Sequence, residues 1–321
     1  MDEIKHLISK ELQDFESKFA DAVKSHVPLL DRIMHYIVKR KGKQIRPMFV
    51  LLSAKLFRAD IQESTYHAAA FVELLHTATL VHDDVVDDAN ERRGFFSINA
   101  LWKNKIAVLV GDYLLSKGLL LSVNNNEFKA LKILSEAVKE MSEGELLQIE
   151  KTRKLNIKED IYFEIIRRKT ASLLASACAA GAWSTTNDDE TTEKMRLFGE
   201  KVGVAFQIKD DLFDYGSEKI GKPTGIDIRE KKMTLPLIYT LEHATPEIRR
   251  RIINIVKNHN TDKERVAEVI ELVKKSGGIE YTQQKMFEYR DDALAILHSF
   301  PENNIRTGLE TLVRYTTDRT F

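Results

Sequence analysis

The sequence has a single cysteine, few glycines and prolines, and no excess of charge of either sign. A lone cysteine, Cys178, excludes an intramolecular disulfide and any metal site built on several thiolates. It stands in the apolar stretch Ala171–Trp183, where a plain buried residue is expected. Only 14 glycines and 6 prolines occur in 321 residues, about 6% of the chain against roughly 12% in an average protein. So few turn formers disfavour all-β, collagen-like and disordered chains. Lys+Arg and Asp+Glu each number 49, for a formal net charge of zero. A dedicated nucleic-acid binder would carry a basic excess. The longest run of apolar and small residues is again 171–183, too short to span a bilayer. The N-terminus lacks a basic segment followed by an apolar one. A soluble cytoplasmic protein without a transmembrane segment is expected. At 43% hydrophobic, a chain of this length can bury a large core.

What is present is helical periodicity. Ile4, Leu7, Ile8, Leu12, Phe15, Phe19 and Val23 form one apolar stripe at spacings of three and four, with charges opposite. Further long patterns cover about 47–57, 65–88, 97–123, 127–150, 157–182 and 191–215. After a loop at 216–225, helices are predicted to resume near Leu235, Pro246, Lys263, Gly278 and Asn303. Strand-like alternation is nearly absent and the breaks are short polar loops, with no flexible linker and no fixed-period repeat. The prediction is an all-α protein, one domain over residues 1–321.

Two copies of D-D-x-x-D end long apolar helical patterns: Asp83-Asp84-Val85-Val86-Asp87 and Asp210-Asp211-Leu212-Phe213-Asp214. In a helix, positions i, i+1 and i+4 lie within about 100° of one face, so each copy is predicted to project three carboxylates onto one surface. Such close like charges repel unless a cation relieves them. Hard oxygen donors suit Mg²⁺, which keeps waters and takes one or two carboxylates together with substrate phosphate oxygens. Groups that can bind anions surround these motifs: Lys43 and Arg46 ahead of Pro47, Arg92 and Arg93 after the first motif, Lys169-Thr170 in an apolar pattern, Lys222 in Gly221–Asp227, and Lys231-Lys232. Together they point to two phosphorylated ligands, one bridged through Mg²⁺ and one held directly. No G-x-x-x-x-G-K-[ST] loop is present, which disfavours a P-loop nucleotide enzyme. His76 lies two helical turns before Asp83, and Gln207 lies three residues before Asp210; both align with the acidic faces. His82, next to Asp83, is expected to serve packing or to support the acidic site from behind.

These residues in this order resemble the trans (E-type) polyprenyl diphosphate synthases. The likeness is carried by Gly42–Pro47, Glu73–His76, Leu80–Asp87, Arg92–Gly94, Gly111-Asp112, Lys169-Thr170, Phe206–Asp214 and Gly221–Gly225. It implies the all-α isoprenoid synthase fold, a helical bundle around a central cavity. It also implies a prenyltransferase, moving alkyl groups other than methyl, that condenses an allylic diphosphate (geranyl or farnesyl) repeatedly with isopentenyl diphosphate. By the resemblance, Asp83, Asp84, Asp87, Asp210, Asp211 and Asp214 bind the allylic diphosphate through Mg²⁺, about three ions per active site, with Asp83, Asp87 and Asp210 as direct ligands. Arg92, Lys169, Lys222 and Lys232 contact that diphosphate. Lys43, Arg46, His76 and Arg93 hold isopentenyl diphosphate, and Gln207 and Thr170 line the reacting centre. The chain departs from the family pattern at Lys41, where a second Gly is common, at Gln44, where Arg is common, and at Lys231, which replaces a usual Gly. The last leaves open which of Lys231 and Lys232 reaches phosphate.

In this family the residues four and five positions before the first Asp face the growing tail. Here Thr79 and Ala78 leave the path open, which implies an all-trans product longer than about twenty carbons and suited to quinone side chains. A floor is then sought deeper, at Leu115 and Leu119 on the helix predicted over 106–123. The resemblance also implies a homodimer, with an apolar patch in 97–123 as the interface. Arg319 is a candidate lid group. Two rival readings are a class I terpene cyclase and a non-catalytic subunit of a heteromeric synthase. The cyclase usually carries Asn and Ser or Thr in its second motif and would leave Lys43, Arg46 and His76 without purpose. The subunit typically loses acidic motifs, and both are intact here.

Overall fold

The computed structural model describes residues 2–39, 42–92, 95–152, 155, 157–216 and 224–318. It opens with α1 (Asp2–Leu7), α2 (Ser9–Ala22), α3 (Pro28–Lys39), α4 (Ile45–Lys55) and α5 (Glu63–Val86). A two-stranded antiparallel hairpin follows, β1 (Glu91–Arg92) and β2 (Phe95–Phe96), with Glu91 opposite Phe96. Next come α6 (Ile98–Trp102), α7 (Asn104–Asn124), α8 (Phe128–Thr152) and α9 (Glu159–Ile166). A turn of π-helix, Arg167–Ala171, leads into α10 (Ser172–Thr186) and α11 (Asp189–Phe213). The chain finishes with α12 (Ile226–Arg229), α13 (Leu235–His243), α14 (Pro246–Asn258), α15 (Lys263–Lys275), α16 (Gly278–His298) and α17 (Asn304–Asp318).

The protein is all-α, and the helices fall close to the predicted patterns, with four differences. The N-terminal stripe is continuous in burial but broken in backbone at Ile8, which separates α1 from α2. The pattern at 97–123 is two helices, split at Lys103, whose φ of 75° no helix accepts. The pattern at 157–182 carries the π turn in its middle. Helix α3 has apolar spacing that the reading of the sequence passed over; only Ile33 and Met34 of it are buried.

The chain divides into two compact units. The first comprises Met1–Val138, Ser176–Arg196 and Pro301–Leu309. Its centre is α4, buried continuously from Pro47 to Ala54, and α5, which packs on both α4 and α7. Helix α7 approaches α5 through glycine. A Cβ at Gly118 would lie 2.2 Å from Cδ2 of Phe71, and one at Gly111 would lie 2.1 Å from Nε2 of His82. His82 packs its ring over Gly111, with its Nε2 3.2 Å from the Val108 carbonyl oxygen and 3.6 Å from Asp112 Oδ1. Cys178 is fully buried in this unit, and burial pushes its thiol up to about 12.

Helix α7 bears on the expectation of no transmembrane segment without overturning it. It is long and apolar enough, by length and composition, to cross a bilayer. No uninterrupted apolar run marked it, because Lys105, Asp112 and Lys117 punctuate it. Its buried side, Ala107, Val110, Gly111, Leu114, Gly118 and Ser122, belongs to the packed unit. Its other side exposes Val108, Leu109, Leu119, Leu120 and Val123.

The second unit comprises Lys139–Ala175, Leu197–Phe300 and Glu310–Phe321. Its core joins Ile165 and Ile166 of α9, Val204 and Ile208 of α11, Leu235, Leu237 and Ile238 of α13, and Val269 and Val273 of α15. Helix α13 packs against α9, α15 and α16. This apolar block fixes α9, the π turn and the C-terminal half of α11 in one place.

Candidate active site

In the first unit, Asp83 and Asp84 lie in the last turn of α5, and Asp87 forms its C-cap. Asp84 is buried, Asp83 half-buried and Asp87 exposed. The Asn99 amide donates to the Asp84 carbonyl oxygen at 3.1 Å, tying α6 to this helix end. Two turns earlier, Arg46 Nη1 donates to His76 Nε2 at 2.9 Å. A guanidinium can only donate, so Nε2 bears the lone pair and the ring proton sits on Nδ1. Lys43 is exposed, just ahead of α4. Gln44, at a φ of 54°, turns the chain into that helix. The sequence-predicted group therefore assembles at an α4 N-terminus, where unpaired N–H groups and the helix dipole favour anions. Arg92 is the second residue of β1. Arg93, Gly94, Gly221, Lys222 and Arg319 lie outside the described residues.

Of the residues tied to chain length, Ala78 is fully buried on α5, and the Thr79 hydroxyl donates to the His76 carbonyl at 2.9 Å. Leu115 is half-buried, and Leu119 belongs to the exposed strip of α7.

In the second unit a cavity of about 310 Å³ gathers Lys169, Thr170, Gln207, Asp210, Asp211 and Lys232. One wall is apolar, from Ile157, Ile165, Ile166 and Met233. The π turn aims Lys169 and Thr170, and such insertions in α-helices often mark functional positions. Two glycines admit it. A Cβ at Gly203 of α11 would lie 2.5 Å from the Ala171 Cα, and one at Gly144 of α8 would lie 2.9 Å from the Lys169 backbone nitrogen. Arg167 and Arg168 anchor the turn outside through Glu140, Glu143 and Glu164. Lys169 Nζ pairs with Glu145. Thr170 Oγ1 donates to Gln207 Oε1 at 2.8 Å, and Gln207 Nε2 donates to Asp211 Oδ1 at 2.9 Å. The Tyr162 hydroxyl donates to the other carboxylate oxygen, Oδ2, at 2.6 Å.

The expectation of three carboxylates on one face does not hold for the second motif. Asp210 and Asp211 are in α11, but Asp214 lies past its end. Its two oxygens accept the backbone N–H groups of Ile226 and Asp227 at 2.7 and 3.2 Å, and its main-chain oxygen accepts from Gly225. Asp214 thus ties down the start of α12, and Asp211 is held by Tyr162 and Gln207. The two lysines left open by the sequence stand in different places. Lys232 lines the cavity and pairs with Glu230 at 2.6 Å. Lys231 donates to the Lys257 carbonyl at 2.9 Å. Its φ of 60° accounts for the glycine usual at this position.

Two cavity groups, and the Glu145 partner of Lys169, escaped the reading of the sequence. Asp227 was quoted only as the last residue of a loop, yet it lines the cavity. Tyr162 of α9 and Glu145 of α8 lie outside every motif that the sequence singles out. The acids share a crowded, dry environment. Burial and the nearby Asp227 push Asp211 up to about 8, and burial and Asp214 push Asp227 up to about 7. Clustered carboxylates held partly neutral by burial suit a hard divalent cation, which would favour their charged forms. Among the described residues no three His, Cys, Asp or Glu side chains form a ready cage.

Comparison with known proteins agrees with this chemistry. A polyprenyl synthetase family model matches residues 27–273. The octaprenyl diphosphate synthase of Escherichia coli (strain K12) is 34% identical over 323 residues, covering 99% of each chain. Heptaprenyl diphosphate synthase component 2 of Bacillus subtilis (strain 168) is 35% identical over 318 residues, covering 98% of this chain and 89% of that one. The crystal structure of a polyprenyl synthase from Caulobacter crescentus CB15, complexed with calcium and isoprenyl diphosphate, superposes with a TM-score of 0.91 at 35% identity, covering 99% and 97% of the two chains. With both acidic motifs, the cation pair at α4 and the cavity of the second unit in the family's order along nearly its whole length, the chain belongs to the polyprenyl synthetase family.

Proposed function

We propose that this chain is a trans-polyprenyl diphosphate synthase that adds isopentenyl diphosphate repeatedly to an allylic diphosphate. The observation that carries this reading is the cavity of the second unit. It sets Lys169, Lys232, Asp210 and the Thr170–Gln207 pair beside an apolar wall. Cations and carboxylates serve a metal-bound diphosphate, and the apolar wall suits a hydrocarbon tail.

By the family resemblance, Asp83 and Asp87 of the first unit and Asp210 of the second are the carboxylates that would serve Mg²⁺. When bound, Mg²⁺ withdraws charge from the diphosphate and makes it a better leaving group. Lys169 and Lys232 neutralise the same diphosphate, Lys169 exchanging Glu145 for phosphate oxygen. The allylic C–O bond breaks and the diphosphate departs with the electron pair. The apolar wall keeps water from the carbocation. The carbonyl oxygen of Gln207, oriented by Thr170, offers negative charge to it. Lys43, Arg46 and His76 hold isopentenyl diphosphate, with Arg46 bridging its anion and the His76 ring. Its double bond attacks the cation to form the new C–C bond, and a proton then lost to the released diphosphate restores a double bond. Effective positioning, rather than a side-chain nucleophile, supplies the rate.

The small side chain of Ala78, where the family resemblance would have a bulky aromatic stop a growing tail, supports a product longer than about twenty carbons, as the name of the octaprenyl relative suggests for that protein. The exposed apolar strip of α7 supports a homodimer, since a second copy of the same strip would cover it. The test is the purified chain alone with Mg²⁺, farnesyl diphosphate and labelled isopentenyl diphosphate. Elongated prenyl diphosphate is expected. A cyclic hydrocarbon would turn the reading to a cyclase. No turnover would make the chain a subunit of a two-component enzyme, as the name of the Bacillus relative suggests for that protein.

A further inference from the structure

We propose that Tyr162 is a positioning residue of the reaction, acting through Asp211 to fix the orientation of the Gln207 amide. The inference rests on the synthase reading of this cavity. Tyr162 is 3% exposed and sits on α9, away from both acidic motifs in sequence. Among the described residues its hydroxyl donates to Asp211 Oδ2, at 2.6 Å. The other oxygen of that carboxylate accepts from Gln207 Nε2 at 2.9 Å. The chain of bonds continues from Thr170 Oγ1 to Gln207 Oε1 at 2.8 Å. All four residues line the cavity.

The directionality is fixed by chemistry. In its charged form, which a bound cation favours, the Asp211 carboxylate only accepts, so the amide turns its nitrogen to it, as the 2.9 Å bond shows. Its oxygen then faces Thr170, with one lone pair left for the cavity. A flipped amide would instead direct N–H groups at a developing cation. The Asp211 carboxylate can hold the amide only while its own rotation is held, and Tyr162 grips its second oxygen. The short bond suits a phenol donating to a charged acceptor. Tyr162 touches no reacting atom in this account; it sets the dipole that does. Tyr215, the neighbouring buried tyrosine, bonds Thr234 instead, at 2.7 Å, and provides a contrast within the same core.

The test is a double-mutant cycle of Tyr162→Phe and Gln207→Leu. Kinetics give kcat and KM for both substrates, and thermal melting without metal or substrate gives a second readout. Tyr162→Phe should lower kcat roughly tenfold or more, the size expected for losing a hydrogen bond to a charged group. Both KM values should stay within about twofold. In the Gln207→Leu background, Tyr162→Phe should lower kcat no further, and the two melting shifts should be non-additive. Tyr215→Phe should spare kcat. Multiplicative losses, a raised KM with intact kcat, or additive melting shifts would overturn the proposal. If Tyr162→Phe fails to fold, Asp211→Asn takes its place. It keeps the side-chain shape and should show the same kcat loss and the same masking by Gln207→Leu; full activity would overturn the proposal. The melting cycle separates this inference from the synthase reading. An inactive wild-type chain with coupled melting shifts would refute the reaction and leave the network standing.

Discussion

Gly203→Ala tests whether the π turn is held by close packing. The change adds one methyl to α11, and in an exposed helix interior it would stabilise by about 1 kcal/mol through backbone entropy. Here the new Cβ would lie 2.5 Å from the Ala171 Cα and 2.8 Å from its Cβ. Atoms do not approach so closely, and the opposing group is backbone, so α11 or the π turn must move. Overpacking of this kind costs about 1–3 kcal/mol. Set against the propensity gain, the net loss is about 0–2 kcal/mol, a fall in melting temperature of up to roughly 6 °C. Activity should suffer more. Lys169 and Thr170 lie on the displaced segment, and an error near 1 Å in a reacting centre costs up to about 100-fold in rate. Gly277→Ala is the control. Gly277 has a φ of 81° and nothing within 4 Å of an added Cβ, so it should lose about 1 kcal/mol from backbone strain with kcat unchanged. A Gly203→Ala protein that melts higher than wild type, or matches its kcat, would refute the packing argument.

Other outcomes follow from the same geometry. Arg46→Ala should raise KM for isopentenyl diphosphate roughly ten- to hundredfold, with a small effect on KM for the allylic substrate; equal effects on both would misplace Arg46. In metal-free protein, Asp211 and Asp227 keep their protons up to about pH 8 and 7, whereas the unfolded chain releases them near pH 3.9. The native state therefore binds more protons across that window, and stability falls as pH rises through it. Thermal melting should show this loss between about pH 4 and 8, and Asp211→Asn should flatten it; a melting temperature that rises in this range would contradict the burial argument. Leu109→Glu on the exposed strip of α7 should shift the protein to monomer by light scattering, and an unchanged mass would move any interface elsewhere.

The helices were legible because burial writes its period into the sequence: the stripe from Ile4 to Val23 and the continuous block from Pro47 to Ala54 could serve little else. Breaks set by one backbone dihedral were not. Lys103 and Lys231 hold left-handed conformations without the glycine that would announce them. The π turn was hidden because it changes the hydrogen-bond step and leaves the apolar composition unaltered. At the site, charged residues in fixed spacing pointed to diphosphate chemistry. Spacing could not say which acids were already engaged. Asp214 is consumed by two backbone N–H groups twelve and thirteen residues downstream, and Asp211 by a tyrosine forty-nine residues upstream. Such partners are set by tertiary contact. Asp227 stands in the cavity for the same reason, placed there by the loop that Asp214 anchors.

The most direct measurement sizes the products made from farnesyl diphosphate and labelled isopentenyl diphosphate by the purified chain with Mg²⁺. The account predicts all-trans chains longer than about twenty carbons, shortened when the fully buried Ala78 is replaced by Phe. Products that stop at about fifteen or twenty carbons, or a length indifferent to Ala78→Phe, would contradict it.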